Sequence, residues 1–269
     1  MKQFIFLFLF SIGLTAQTKP KVKVYYKQVK NGYQLFVDND EFCEVSVVLR
    51  LNLDNLKAST NRQATFVVPP KKTHFKLMDL HAIRQGGYSF SFNYNVYRGD
   101  VSKLTYDLNF PYYLPFKKGQ SFNIGQGYDG TFTHQNKKTL DFTMPIGTPI
   151  TAIRGGKVIL VVDSFSKHGE TADFSRYANY ILIEHSDGTF ASYVHLKQNG
   201  SKVKEGETVK TGQEIALSGN TGWTSGAHLH LEVYIAKAKR NQTIITRFKV
   251  GSGSTTEILK EKQTYKRDY

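Results

Sequence analysis

Cysteine is almost missing from this sequence: Cys43 is the single one among 269 residues. One thiol cannot close an internal disulfide, so the fold must be held by apolar burial, for which a 40% hydrophobic content suffices. Cys43 sits in a strand-like stretch with no evident base nearby, which fits a small buried hydrophobe rather than a nucleophile. Amphipathic helical periodicity is missing between Gly119 and Val250, so that half reads as all-β. Long apolar runs are missing as well, since the run from Phe4 to Leu14 is too short to cross a bilayer comfortably. Acidic residues are scarce, 22 Asp and Glu against 36 Lys and Arg, for a formal charge of +14. That excess predicts attraction to polyanions. No nucleic-acid recognition motif joins the basic residues to the 16 Tyr and 19 Phe, so cell-wall or envelope polymers are the expected partners and nucleic acid is not.

What is present divides by composition. Residues 1–16 carry a lysine, then the apolar run, then small residues ending at Ala16, which is the layout of a secretory signal peptide. Cleavage after Ala16 would leave an exported protein, periplasmic or secreted, with no stable membrane insertion and acting as a monomer. Residues 17–110 alternate runs such as KVKVYYKQV, EVSVVLRLNL and YSFSFNYNVY with turn residues, predicting an N-terminal β-sandwich-like accessory domain. That domain reads as a binding module, a spacer or a cover over an active groove. His74 and His81 fall in it without acidic or cysteine partners at ligand spacing and read as surface or packing residues.

Pro111, Pro115 and the glycines from Gly119 to Gly130 mark a boundary. Residues 111–250 then return to strand-like runs, KVILVV, YANYILIEH, TFASYVHL and HLHLEVYI, separated by turns such as Ser186-Asp187-Gly188. Residues 251–269 read as a polar, peripheral C-terminal tail in which ILKEKQTY could pack as a last short element.

The densest chemistry lies in GWTSGAHLHLEV, from Gly222 to Val233. Successive side chains of a strand point to opposite faces, so His228 and His230 project together while Leu229, Leu231 and Val233 form an apolar face behind them. Gly219, Gly222 and Gly226 supply turns before this strand. The plain alternative is an exposed polar face, and the decision rests on partners elsewhere. A hydrolytic zinc site takes three nitrogen or oxygen ligands and keeps one position open. His134 and Asp141, in HQNKKTLDF, can supply two, and His195, two residues after Tyr193, is expected on the same strand face as that tyrosine.

Taken in order, His134 to Asp141, YVHL and SGNTGWTSGAHLH resemble the lysostaphin-type (LytM domain) zinc metalloendopeptidases, peptidoglycan hydrolases, over roughly Phe122 to Val233. The resemblance implies an antiparallel β-sheet, barrel-like peptidase fold. It implies that His134, Asp141 and His230 bind one zinc ion, while His195 and His228 remain free for catalysis. It further implies cleavage of peptidoglycan stem peptides or cross-bridges by metal-activated water. The sequence departs from the family's H-x-x-x-D spacing: the position four before Asp141 is Lys137, whose ammonium cannot ligate zinc at neutral pH. Three additional residues bulging outward would still let His134 reach the metal. The competing reading is an inactive module of the same fold that binds the wall or regulates an amidase. His168 reads as a solvated loop residue, His185 as structural, and Asn179 as a turn-stabilising side chain.

Overall fold

The computed structural model describes residues 18–269, so the expected signal peptide, residues 1–16, lies outside the described residues. Among the described residues no helix is long and apolar enough to cross a membrane. Regular helix is confined to a 3-10 turn at Ala172–Tyr177; the rest is strand and loop.

Two small sheets form the N-terminal part. One has four strands in the order Val22–Val29, Gly32–Asn39, Phe75–Ala82 and Leu56–Ala58; the other has three, in the order Gln63–Val68, Val45–Asp54 and Ser89–Arg98. Their alternating apolar residues meet in one core, with Leu35, Val37 and Leu80 from the first sheet against Val45, Val47 and Leu49 from the second.

The C-terminal part is built on an antiparallel sheet of nine strands. Its central strand, His228–Ile235, lies between Thr189–Val194 and Thr139–Thr143. Alternation divides that strand as the sequence predicts. Leu229, Leu231, Val233 and Ile235 enter the main core with Phe142, Tyr193 and Phe248. His228 and His230 face the other way.

That second face is shared. Beyond His230, Tyr234 and its neighbours Phe190, Val194, Tyr180 and Leu182 pack against Cys43, Phe42 and Val101 of the N-terminal part. Cys43 is fully buried there, and burial pushes its thiol up, in keeping with a packing role. On the N-terminal side of the junction a buried ion pair holds the first described residue, with Arg98 Nε donating to Glu41 Oε2 at 2.9 Å and Arg98 Nη1 to the Thr18 carbonyl at 2.7 Å, and the Thr18 amide in turn donates across the junction to the Tyr180 hydroxyl at 3.3 Å. Tyr234 lies four residues along the strand from His230, about 13 Å at the usual rise. The N-terminal part is therefore docked on the face that carries the histidines, beside them along the strand.

The C-terminal tail differs from the expectation of a peripheral segment. Thr264–Lys266 pairs with Ser121–Gln126 and closes one edge of the large sheet. Leu259 and Tyr265 are buried in the main core, and Arg267 Nη1 donates to the Phe116 carbonyl at 2.6 Å. The segment is polar because alternate residues of an edge strand face solvent, and its few apolar side chains suffice to anchor it.

Candidate metal centre

Asp141 and His230 are cross-strand partners in the antiparallel ladder of Thr139–Thr143 and His228–Ile235, which brings the carboxylate to the imidazole without any loop. Asp141 Oδ1 lies 2.8 Å from His230 Nδ1. His134 arrives from the connection before Asp141. The Lys137 amide donates to the His134 carbonyl at 2.9 Å, so residues 134–137 close a tight turn, with Asn136 at φ 56°. That turn takes up the extra residues. His134 is fully buried, with Nε2 3.3 Å from Asp141 Oδ2 and 3.3 Å from His230 Nδ1.

These three groups fit a metal ion. His134 Nδ1 donates to the Gly127 carbonyl at 2.9 Å, which fixes the neutral tautomer with a bare Nε2. That lone pair, His230 Nδ1 and a carboxylate oxygen then converge on one buried point, an arrangement that a cation between them relieves. Zinc bonds of about 2.0–2.1 Å at tetrahedral angles set donor atoms about 3.3 Å apart, close to the separations found. Among the described residues this is the one group of three or more His, Cys, Asp or Glu placed to hold a metal.

Two further imidazoles border these three groups. His195 follows directly on Thr189–Val194, and its backbone is left-handed at φ 64°, a strained conformation for a residue with a side chain. The expectation that His195 shares the face of Tyr193 is therefore corrected. Tyr193 points into the main core, where its hydroxyl accepts from the Ile153 amide, and the turn at His195 carries the imidazole to the opposite face. The His195 ring lies 4.5 Å from that of His228 and 6.0 Å from that of His230. Its Nδ1 donates to the Thr221 carbonyl at 2.7 Å, and His228 Nδ1 donates to the Gly226 carbonyl at 2.8 Å. In both residues Nε2 is the free nitrogen.

Burial and the partners set the charges. Burial acts to raise the Asp141 carboxyl, but the adjoining His134 and His230 imidazoles, the latter donating through Nδ1, outweigh it and hold the group well below the usual carboxylate range. Burial lowers His230, and the Asp141 carboxylate reverses this and raises it. Burial, followed by the neighbouring His228 and His230, pushes His195 down to about 3, while His228 is lowered less because Asp141 opposes the burial. His195 is thus a neutral base across the ordinary pH range.

Residues 135–242 match peptidase family M23, a span that contains Asp141, His195, His228 and His230 and begins directly after His134. The chain carries a domain of peptidase family M23. An uncharacterized metalloprotease of Buchnera aphidicola is 28% identical over 220 residues, 81% of this chain and 50% of the relative. Peptidoglycan DD-endopeptidase ShyB of Vibrio cholerae is 42% identical over 95 residues, 35% of this chain and 20% of the relative. The structure of the antimicrobial peptidase lysostaphin from Staphylococcus simulans aligns with a TM-score of 0.34 at 31% identity, covering 51% of this chain and 47% of that one. The M23-bearing chain spans half or less of the length of these curated relatives.

His168, His185 and Asn179 stand apart from the His134, Asp141 and His230 cluster. His185 is buried, bonded through Nδ1 to Thr189 Oγ1 at 2.9 Å, and pushed down to about 3 by burial. Asn179 Nδ2 donates to the carbonyls of Phe165 and Leu196, tying the backbone on which His195 depends. His168 is exposed, in a short parallel pairing with Gly222–Trp223. Thr221, whose carbonyl orients His195, and the groove residues Phe132, Glu170 and Trp223 were not singled out from sequence. The chain's single tryptophan, lying within the Gly-rich run before His228, was the available signal for the last.

Proposed function

We propose that this chain is a zinc-dependent endopeptidase that hydrolyses peptide cross-links of bacterial peptidoglycan. The observation that carries the reading is the buried convergence of His134, Asp141 and His230 at separations of 2.8–3.3 Å, beside two imidazoles that each keep Nε2 free. Similarity to a relative named as a peptidoglycan DD-endopeptidase supports the substrate class, as does the net charge of +14, which suits an anionic wall.

His134, Asp141 and His230 would hold the zinc. Zinc there supplies Lewis-acid polarisation of a carbonyl and lowers the pKa of a water to about 7. The protein's own residues do the rest. His195 and His228, neutral and oriented by the Thr221 and Gly226 carbonyls, accept a proton at Nε2 and return it to the leaving amine. The tie to Thr221 holds the His195 ring in one orientation. Residues 111–250 form the peptidase unit and residues 17–110 an accessory unit, and the chain is exported to reach its substrate.

The test is zinc content together with muropeptide release from purified peptidoglycan, for the mature protein and for His134→Ala. The expected result is about one zinc per chain and opened cross-links in the parent, with both lost in the variant. A metal-free, inert parent that still sediments with the wall would replace this reading with that of a wall-binding module.

A further inference from the structure

The groove in front of the imidazoles has walls that the metal ligands do not explain. One segment supplies Phe132, a residue 74% exposed at the rim. Another supplies Glu170, Trp223 and Thr224. This second wall is laced together by backbone bonds. His168–Gly169 pairs in parallel with Gly222–Trp223, Gly222 N donates to the Lys167 carbonyl at 2.9 Å, and Thr224 N donates to the Gly169 carbonyl at 2.9 Å. The Trp223 indole Nε1 donates to the Glu170 carbonyl at 2.9 Å. Glu170 is thereby fixed to the chain that leads directly into His228.

The charge around it is unusual for this protein. Lys and Arg outnumber Asp and Glu by 36 to 22 in the chain, yet among the described residues no Lys or Arg lines the groove. The cations nearest in sequence are turned elsewhere, Lys167 and Arg176 both lying over the Tyr177 ring at 5.1 Å and 5.0 Å. Glu170 is exposed and makes no ion pair among the described residues. Asp141, the other carboxylate at the groove, is already bonded to His230 and lies against His134. Among the described residues Glu170 is left as the one groove-lining carboxylate with no ion pair or hydrogen-bond donor, in a lining that also holds Phe132 and Trp223.

We propose that Glu170 is a specificity-determining residue that recognises a free ammonium group on the substrate peptide close to the scissile amide, with Phe132 and Trp223 covering the aliphatic stem that carries it. This rests on the peptidase reading above. An exposed carboxylate on a backbone fixed by these bonds discriminates ammonium from its neutral amide by up to about fivefold, the size of one exposed ion pair.

The test uses the full zinc-loaded chain and a matched pair of synthetic cross-linked stem peptides, one with a free side-chain amine and one with that amine acetylated. Wild type should favour the free amine by up to about fivefold in kcat/KM, mostly through KM. Glu170→Gln should erase the preference, and Glu170→Asp should restore part of it. Calorimetric binding of the two peptides should show the same order of preference. Equal kcat/KM for the pair in the wild type, or an undiminished preference in Glu170→Gln, overturns the inference while leaving the peptidase reading in place. If the wild type cuts neither peptide, the peptidase reading fails; equal calorimetric affinities would then overturn the role of Glu170 independently.

Discussion

Asp141 and His230 stand directly opposite one another on adjacent antiparallel strands, with Oδ1 and Nδ1 2.8 Å apart. Sheet register, the most rigid constraint available, thus sets the spacing of two of the three groups proposed to hold zinc. Replacing Asp141 with Asn keeps the shape and removes the charge. Asp141→Asn is expected to reduce bound zinc from about one per chain to near none, and to abolish the rise in Tm that zinc gives the parent. Metal analysis after gel filtration, with thermal melts in zinc and in chelator, checks this; full zinc occupancy in the variant would remove Asp141 from the ligand set.

His195 and His228 border the proposed ligands and are proposed to transfer protons instead. His195→Ala and His228→Ala should each keep zinc while losing about 10²–10⁴-fold in kcat/KM. Parallel measurements of zinc content and muropeptide release separate the roles. Loss of metal in either variant would make that histidine a ligand.

Gly222 has φ 87°, and a Cβ there would lie 2.6 Å from the Ala178 Cβ. Both backbone strain and overlap oppose any larger residue. Gly222→Ala should therefore destabilise the fold by about 2 kcal/mol and, by shifting the neighbouring Thr221 carbonyl that orients His195, lower kcat/KM as well. Gly226→Ala is the stability control, since a Cβ there meets nothing within 4 Å. Chemical denaturation of the two variants gives the comparison; equal midpoints would show that the turn tolerates a side chain.

Glu184 lies toward the junction with the N-terminal part. Burial, then the nearby Glu44, raises its carboxyl to about 7, against an opposing pull from Lys103. Its folded pKa exceeds the unfolded value near 4.5, so the folded state binds more protons and stability falls as pH rises between about 4.5 and 7. His185 and His195, both held down to about 3, act in the opposite sense below about 6.5, so the informative quantity is a difference between proteins. Glu184→Gln should gain stability over wild type as pH is raised from 5 to 8, by at most about 3 kcal/mol. Paired urea melts at the two pH values read it, and a constant difference would show that Glu184 titrates normally.

Much of the site was legible because strand alternation is local. The placing of His228 and His230 on one face, with Leu229 and Leu231 behind, needs only the period of an extended backbone, and it stands in the structure. The same rule failed for His195, where one left-handed residue ends the alternation and turns the ring away from the face of Tyr193. No sequence pattern announces that φ; the hydrogen bond to the Thr221 carbonyl and the pinning of Leu196 by Asn179 stabilise it from outside the strand.

The sequence by itself determined the all-β character of the chain, the position of its principal histidine strand and the residue types able to hold a metal, because these follow from periodicity and side-chain chemistry over a few residues. Tertiary structure decided the rest. The irregular spacing between His134 and Asp141 closes because a tight turn returns His134 to a partner fixed by register with His230, 89 residues away from Asp141. The polar tail becomes an edge strand because an open ladder of Ser121–Gln126 awaits it. The docking of the N-terminal part on the histidine-bearing face arises from Cys43, Phe42 and Val101 meeting Phe190 and Tyr234, a contact between surfaces whose complementarity no local pattern encodes.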